Sequence, residues 1–123
     1  MIIEDIEQEH YKVYSPWMKL ESYDWDVLTA NSNLKKYNKN QIVYYQLEYN
    51  DFAYIVKSGR VRLTIYSPDG DIKVLTIVEK GCMFGELSIM DDLPNMVTAK
   101  TIVDSEIYQI SKETFINTLR ENP

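Results

Sequence analysis

The stretch Gly81-Cys82-Met83-Phe84-Gly85-Glu86-Leu87-Ser88-Ile89-Met90-Asp91-Asp92-Leu93-Pro94-Asn95-Met96-Val97-Thr98-Ala99 decides how the rest of the chain is read. It holds the end of a β-structure, a tight Phe-Gly-Glu turn, one short helical turn and a Pro-marked return to extended chain. Glycine lets backbone N–H groups approach a ligand closely, and a helix start supplies unsatisfied donors at a positive dipole end. The stretch has the form of an anion cradle set between β-elements.

Working toward the N-terminus, the apolar period from Leu34 to Tyr66 is two, with turn residues recurring roughly every ten positions. Strands Leu34 to Tyr37 and Gln41 to Tyr45 flank a turn at Asn38-Lys39-Asn40. Phe52 to Lys57 and Val61 to Tyr66 flank Ser58-Gly59, which predicts a short-loop hairpin. Val61, Leu63 and Ile65 are then expected on one face, with Arg60, Arg62 and Thr64 on the other. Ser67-Pro68-Asp69-Gly70 is a second turn, with Pro setting φ and Gly supplying positive φ. Ile72 to Val78 is apolar on both faces, which predicts a strand central to a double-layered structure.

Upstream, Ser22 is placed to cap a helix through about Ala30, with Trp25 and Leu28 facing inward. Downstream, Val97 to Thr101 and Glu106 to Ile110 read as strands. Ser111 then caps a helix from Lys112 to about Glu121, with Phe115, Ile116 and Leu119 as its buried stripe. Short strands at regular spacing with helix only at the flanks indicate a mainly β domain, a sandwich or β-roll. Residues 22–123 form this domain. In residues 1–21, Ile2, Ile3 and Ile6 suit one helical face, but Ser15-Pro16 breaks any helix there, and the segment has no settled reading.

The 123 residues fit a single core, and 13 basic against 19 acidic side chains give a net charge of −6. That balance opposes nucleic-acid binding by this chain, which needs clustered Lys and Arg, but leaves room for a small anion in a pocket. Cys82 is the sole cysteine, so an intrachain disulfide and a four-thiolate cluster are excluded, and a reducing cytoplasm is expected. The acidic N-terminus and the lack of any apolar run near ~20 residues predict a soluble protein without a membrane span. His10, the sole histidine, offers no partners for a metal site. No Ser–His–Asp or Cys–His set is present, Asp91-Asp92 reads as a solvated helix end, and no enzyme is expected.

The ordered set Ile55-Val56-Lys57-Ser58-Gly59-Arg60-Val61, Asp69-Gly70, Gly81-x-x-Phe84-Gly85-Glu86-Leu87, Thr98-Ala99 and Phe115 to Leu119 resembles a known family. It is similar to the cyclic-nucleotide-binding β-roll, specifically the N-terminal sensor domain of the Crp/Fnr group of bacterial transcription regulators, over about residues 22–123. The resemblance implies a double-stranded β-helix, or jelly-roll-like β-roll, with short flanking helices. It further implies that backbone N–H groups of Gly85 to Ser88 cradle a cyclic phosphate, that Glu86 accepts from the ribose 2′-hydroxyl, and that an arginine after Pro94 clamps the phosphate. The candidate ligand-binding positions are Phe84, Gly85, Glu86, Leu87, Ser88, Asn95 and Met96.

The chain departs from the family pattern at the clamp. Asn95 stands where the arginine is expected and Met96 where a small residue is expected. Asparagine donates hydrogen bonds without charge, and a charge-assisted bond contributes roughly 1.5–3 kcal/mol against about 1 for a neutral one. The bulk of Met96 is expected to fill space a nucleotide would use, and Asp91 and Asp92 add negative potential. Cyclic AMP and cyclic GMP are therefore not the expected effectors. The resemblance allows relatives that sense haem-bound gas, redox state through iron–sulfur clusters, or small organic ligands, and the sequence singles out no cofactor.

Several residues keep two readings. Glu86 serves as a ribose ligand or as the first-turn acid of a short helix, with the structural role preferred. Cys82 reads as buried and inert, and Tyr44, Tyr45, Tyr49 and Tyr54 read as packing before they read as a ligand pocket. The leading function is the sensor half of a Crp/Fnr-like regulator that responds to a small-molecule effector or a partner. The alternatives are true cyclic-nucleotide binding with Lys80, Lys100 or an outside group as clamp, and a stand-alone interaction module with no ligand. In the family a dimerisation helix and a helix-turn-helix follow where this chain reaches Pro123. DNA contact is thus expected only through such a C-terminal domain, within a homodimer of a longer protein.

Overall fold

The computed structural model of the chain describes residues 22–121. The N-terminal segment and His10 therefore lie outside the described residues. Within them run α1 (Ser22–Ala30), β1 (Asn33–Tyr37), β2 (Ile42–Tyr44), β3 (Phe52–Ser58), β4 (Val61–Tyr66), β5 (Ile72–Val78), β6 (Met83–Phe84), α2 (Glu86–Asp91), β7 (Thr98–Thr101), β8 (Ser105–Ser111) and α3 (Lys112–Glu121).

The pairing is nested and antiparallel: β1 lies on β8, β2 on β7, β3 on β6, and β4 on β5. A long two-stranded ribbon is thus folded at the β4–β5 hairpin and coiled, so that alternate pairs fall into alternate sheets. Contacts of β3 with β8 and of β4 with β7 complete the sheets, giving the orders β1-β8-β3-β6 and β2-β7-β4-β5. The chain is mainly β, and this is the β-roll expected from its sequence.

Period-two burial follows from the two layers. Tyr54 and Val56 of β3 face the second sheet, in a core with Tyr44, Val61, Leu63, Phe84, Ala99 and Ile107. Ala53 and Ile55 face the other way, against Leu28, Met83, Ile89, Ile110 and Phe115 under the helices. Trp25 and Ile116 pack partly against that second cluster. The side chain of Leu119 lies outside the described residues.

Two sequence expectations are corrected. Ser58-Gly59 is not a hairpin turn, because β3 and β4 belong to different sheets; the chain turns a corner there. At that corner Gly59 has φ +97°, and a Cβ on it would collide with Ser105 Oγ and stand 2.7 Å from Ser105 Cα, so only glycine fits. The true hairpin is β4–β5, closed at Ser67–Gly70 by Gly70 N–H donating to Ser67 O (3.0 Å) and Ser67 N–H to Asp71 O (2.9 Å).

Secondly, the central strand is β3, covered on both faces, while β5 is an edge strand with Ile72, Val74 and Ile77 exposed. β4 keeps a continuous register with β7, with Val61 and Leu63 in the core as its alternation predicts; the irregularity lies in β5, where Leu75 is an extra residue between the partners of Leu63 and Thr64. At the flanks, α1 begins at Ser22, whose side chain lies outside the described residues. Ser111 does cap α3, accepting from the Thr114 N–H at 3.2 Å.

Candidate functional site

β6 ends at Phe84 paired with Tyr54, and the chain turns into α2 through Gly85 at φ +81° and ψ 0°. A Cβ on Gly85 would lie 3.0 Å from the Tyr54 ring and 3.2 Å from the Tyr44 ring. The glycine is required by these aromatic neighbours and by its left-handed conformation, whatever is bound. The rings form a stack in the core: Tyr54 on Phe84 at 5.1 Å, Tyr44 at 5.6 Å from Tyr54 and 6.1 Å from Phe84. Tyr54 also donates to Asn50 Oδ1 at 3.0 Å. Tyr45 and Tyr49 are exposed, so the packing role read for the four tyrosines holds for Tyr44 and Tyr54 alone.

α2 is only six residues long, and it ends at Asp92 in the left-handed region, φ 53°. The return is stitched to the helix by Ser88: its hydroxyl donates to Leu93 O (2.6 Å) and its carbonyl accepts from Leu93 N–H (3.2 Å). Asn95 then pins the loop that leads from β2 to β3. Its Nδ2 donates to Tyr45 O (2.9 Å), its N–H to Glu48 O (2.8 Å), and its own carbonyl accepts from Leu47 N–H (2.8 Å). The Asn95 side chain is 3% exposed, and its Oδ1 is buried with no hydrogen-bond partner among the described residues.

Between this stretch and the second sheet lies a cavity of about 310 Å³. Phe84, Gly85, Glu86, Leu87, Ser88, Asn95 and Met96, the positions singled out in the sequence, all line it, together with Asp91, Leu93, Pro94 and Val97. The remaining wall is Tyr44, read from the sequence as packing before pocket, with Leu63, Ile65, Leu75 and Thr76, which sequence reasoning missed. Alternation in β4 was the available signal for Leu63 and Ile65; nothing local marks Leu75, which enters through the register shift. Met96 lines the cavity while remaining 65% exposed.

The electrostatics of the wall are one-sided. Among the described residues its charged members are Glu86 and Asp91, with no lysine or arginine; Lys80 and Lys100, considered as substitute clamps, are not part of it. Glu86 is buried, and its negative charge adds to burial in pushing the Tyr44 phenol far up. Burial likewise leads in pushing Tyr54 up to about 12, with Tyr37 adding to it. Cys82 is fully buried and burial pushes its thiol up, so it sits away from the reactive thiolate range. Among the described residues no group of three or more His, Cys, Asp or Glu is arranged to hold a metal ion, and no helix is long and apolar enough to cross a membrane.

Residues 34–122 match the family model of the cyclic nucleotide-binding domain. The chain is 28% identical over 98 residues to the cyclic AMP receptor protein of Thermus thermophilus, covering 80% of this chain and 45% of that protein. It is 31% identical over 96 residues to the CRP-like cAMP-activated global transcriptional regulator of Mycobacterium tuberculosis, covering 78% and 43%. The chain thus spans less than half the length of these two relatives.

Among solved structures, the Thermus thermophilus catabolite activator protein superimposes with a TM-score of 0.76 at 24% identity, covering 85% of this chain and 49% of that one. The sensor domain of the transcriptional regulator DNR from Pseudomonas aeruginosa gives 0.72 at 24% identity, covering 99% and 82%. Nested β-roll, strand-to-helix turn at Gly85 and family match agree: the chain belongs to the cyclic nucleotide-binding domain family, with homology to regulators of the Crp/Fnr type.

Proposed function

We propose that this chain is the effector-sensing domain of a Crp/Fnr-like transcription regulator, and that its effector is something other than cyclic AMP or cyclic GMP. One observation carries the second part: among the described residues the cavity beside α2 has acidic side chains and no cation, and Asn95, at the expected clamp position, has its Nδ2 on the Tyr45 carbonyl. A phosphate entering there would lose its hydration without a charged partner, which is unfavourable in a largely apolar site. In a longer protein, occupancy of the cavity would bias a dimer between DNA-binding states, and all contact with DNA would be made by a separate domain.

Isothermal titration of the chain with cyclic AMP and cyclic GMP tests this. No saturable heat is expected up to about 1 mM nucleotide, a weak-binding limit near −4 kcal/mol. The competing reading, true cyclic-nucleotide binding, is favoured by the cAMP-activated regulators among the relatives and by the intact Phe84-Gly85-Glu86 turn. Micromolar affinity that is lost on Glu86→Gln would establish that reading in place of ours.

A further inference from the structure

Across the second sheet runs one row of side chains in register: Tyr44 of β2 opposite Ala99 of β7, Ala99 opposite Leu63 of β4, and Leu63 opposite Thr76 of β5. A row of directly opposed residues shares one face, and here it is the inner one, since Tyr44, Leu63 and Ala99 belong to the core. Tyr44 and Thr76, at the two ends of the row, both line the cavity and are each only 8% exposed. Neither hydroxyl makes a hydrogen bond among the described residues. The polar side-chain atom there that is both sealed and unpartnered is Asn95 Oδ1, so the Tyr44 and Thr76 hydroxyls are not sealed and open on the cavity their residues line.

Of the two, Tyr44 is placed to fix a ligand. Its ring is held by its contacts with Tyr54 and Phe84, its Cε2 edge lies beside Gly85, and Glu86 acts on its phenol; Gly85 and Glu86 line the same cavity. Burial and that carboxylate keep the proton on the phenol, so Tyr44 offers a donor. Thr76, with a shorter side chain, stays at the surface of the sheet. Ser88 and Asn95, the other uncharged polar side chains of the wall, already donate to Leu93 O and Tyr45 O. The rest of the lining is mainly apolar, with Leu63, Ile65, Leu75 and Phe84 prominent, and the volume of about 310 Å³ lies at the small end for ligand pockets.

We infer that the cavity takes an uncharged, mainly apolar organic molecule of one or two rings that accepts a hydrogen bond from the Tyr44 hydroxyl through a carbonyl oxygen or a ring nitrogen. Tyr44 is then the specificity-determining residue, because a ligand of the same shape without an acceptor leaves a buried donor unmet. A carboxylate would also accept from Tyr44, but it would meet Glu86 and Asp91 with no cation in the wall among the described residues. The inference rests on the reading of the cavity as the effector site.

The test uses the chain labelled with 15N and matched probes: acetophenone with isopropenylbenzene, quinoline with naphthalene, and benzoate as the anion. Acetophenone and quinoline are expected to shift the amide signals of Tyr44, Gly85 and Val97. Their hydrocarbon counterparts are expected to bind about tenfold more weakly, the scale of leaving one buried donor unmet. Benzoate is expected to bind more weakly than acetophenone. Tyr44→Phe removes a hydroxyl that bonds nothing among the described residues, so the fold and the hydrocarbon affinities should stay. In that variant acetophenone and quinoline should fall to the level of their counterparts, whereas Thr76→Val should leave the preference in place. A preference that survives Tyr44→Phe, or that vanishes with Thr76→Val alone, overturns the role of Tyr44. Equal affinity within each pair, or tighter binding of benzoate, overturns the acceptor inference while leaving the effector cavity in place. Shifts at no cavity residue with any of the five probes overturn the effector-cavity reading itself.

Discussion

Asn95 and Met96 are neighbours in sequence with opposite structural duties. Asn95 is 3% exposed and ties the β2–β3 loop through three hydrogen bonds, whereas Met96 is 65% exposed at the cavity rim. A cation introduced at the first position must be buried and must release Tyr45 O, while one at the second reaches the cavity from solvent. Asn95→Arg is therefore expected to lower stability by about 3 kcal/mol in urea unfolding, the scale of an unpaired buried charge and a broken polar contact. Met96→Arg should change stability by no more than about 0.5 kcal/mol. It should also confer cyclic AMP binding that weakens with added salt, as exposed electrostatics do; titration at two ionic strengths checks this. The sequence marked both positions as departures from a family pattern but could not assign these duties, because the partner of Asn95 lies some fifty residues away, at Tyr45.

At the level of elements, glycines that look alike in sequence do different work. Gly59 and Gly70 both follow strands and both have positive φ, at +97° and +92°. A Cβ at Gly70 would meet nothing within 4 Å, whereas one at Gly59 would collide with the Ser105 backbone and hydroxyl. Gly70→Ala should then cost only the left-handed conformation, roughly 1–2 kcal/mol, and Gly59→Ala clearly more, read as a larger drop in urea midpoint. Equal costs would show that the corner relaxes around the added methyl.

This pair also shows what was legible. Strand positions and both flanking helices followed from local period and turn chemistry, whereas the cavity positions Phe84 to Ser88, Asn95 and Met96 came from the resemblance to a family. Which strands share a sheet did not, since a two-residue Gly turn serves a hairpin and a corner equally well. The apolar alternation of β5 could not reveal that one of its faces meets solvent, as Ile72, Val74 and Ile77 do.

For the whole molecule, the stacked core links stability to pH. The folded state holds the Tyr54 proton more tightly than the unfolded chain, its pKa pushed up to about 12 from an ordinary 10, and Tyr44 is pushed further in the same direction. Because the folded value is raised, the stabilisation is complete below about pH 10 and is lost as pH rises toward 12. Alkaline titration should show unfolding by circular dichroism in that window, with part of the tyrosinate absorbance appearing only as the fold is lost. Completion of the full tyrosinate signal in a still-folded protein would contradict this.

The nested pairing has a consequence for how such a domain is used. Because β1 lies on β8, with Asn33 opposite Gln109, and α1 and α3 pack on one cluster, the chain enters and leaves the roll at the same place. A host polypeptide interrupted by this unit would find its severed ends brought back side by side, as by a long loop, so the unit can be spliced into unrelated architectures without prising them apart.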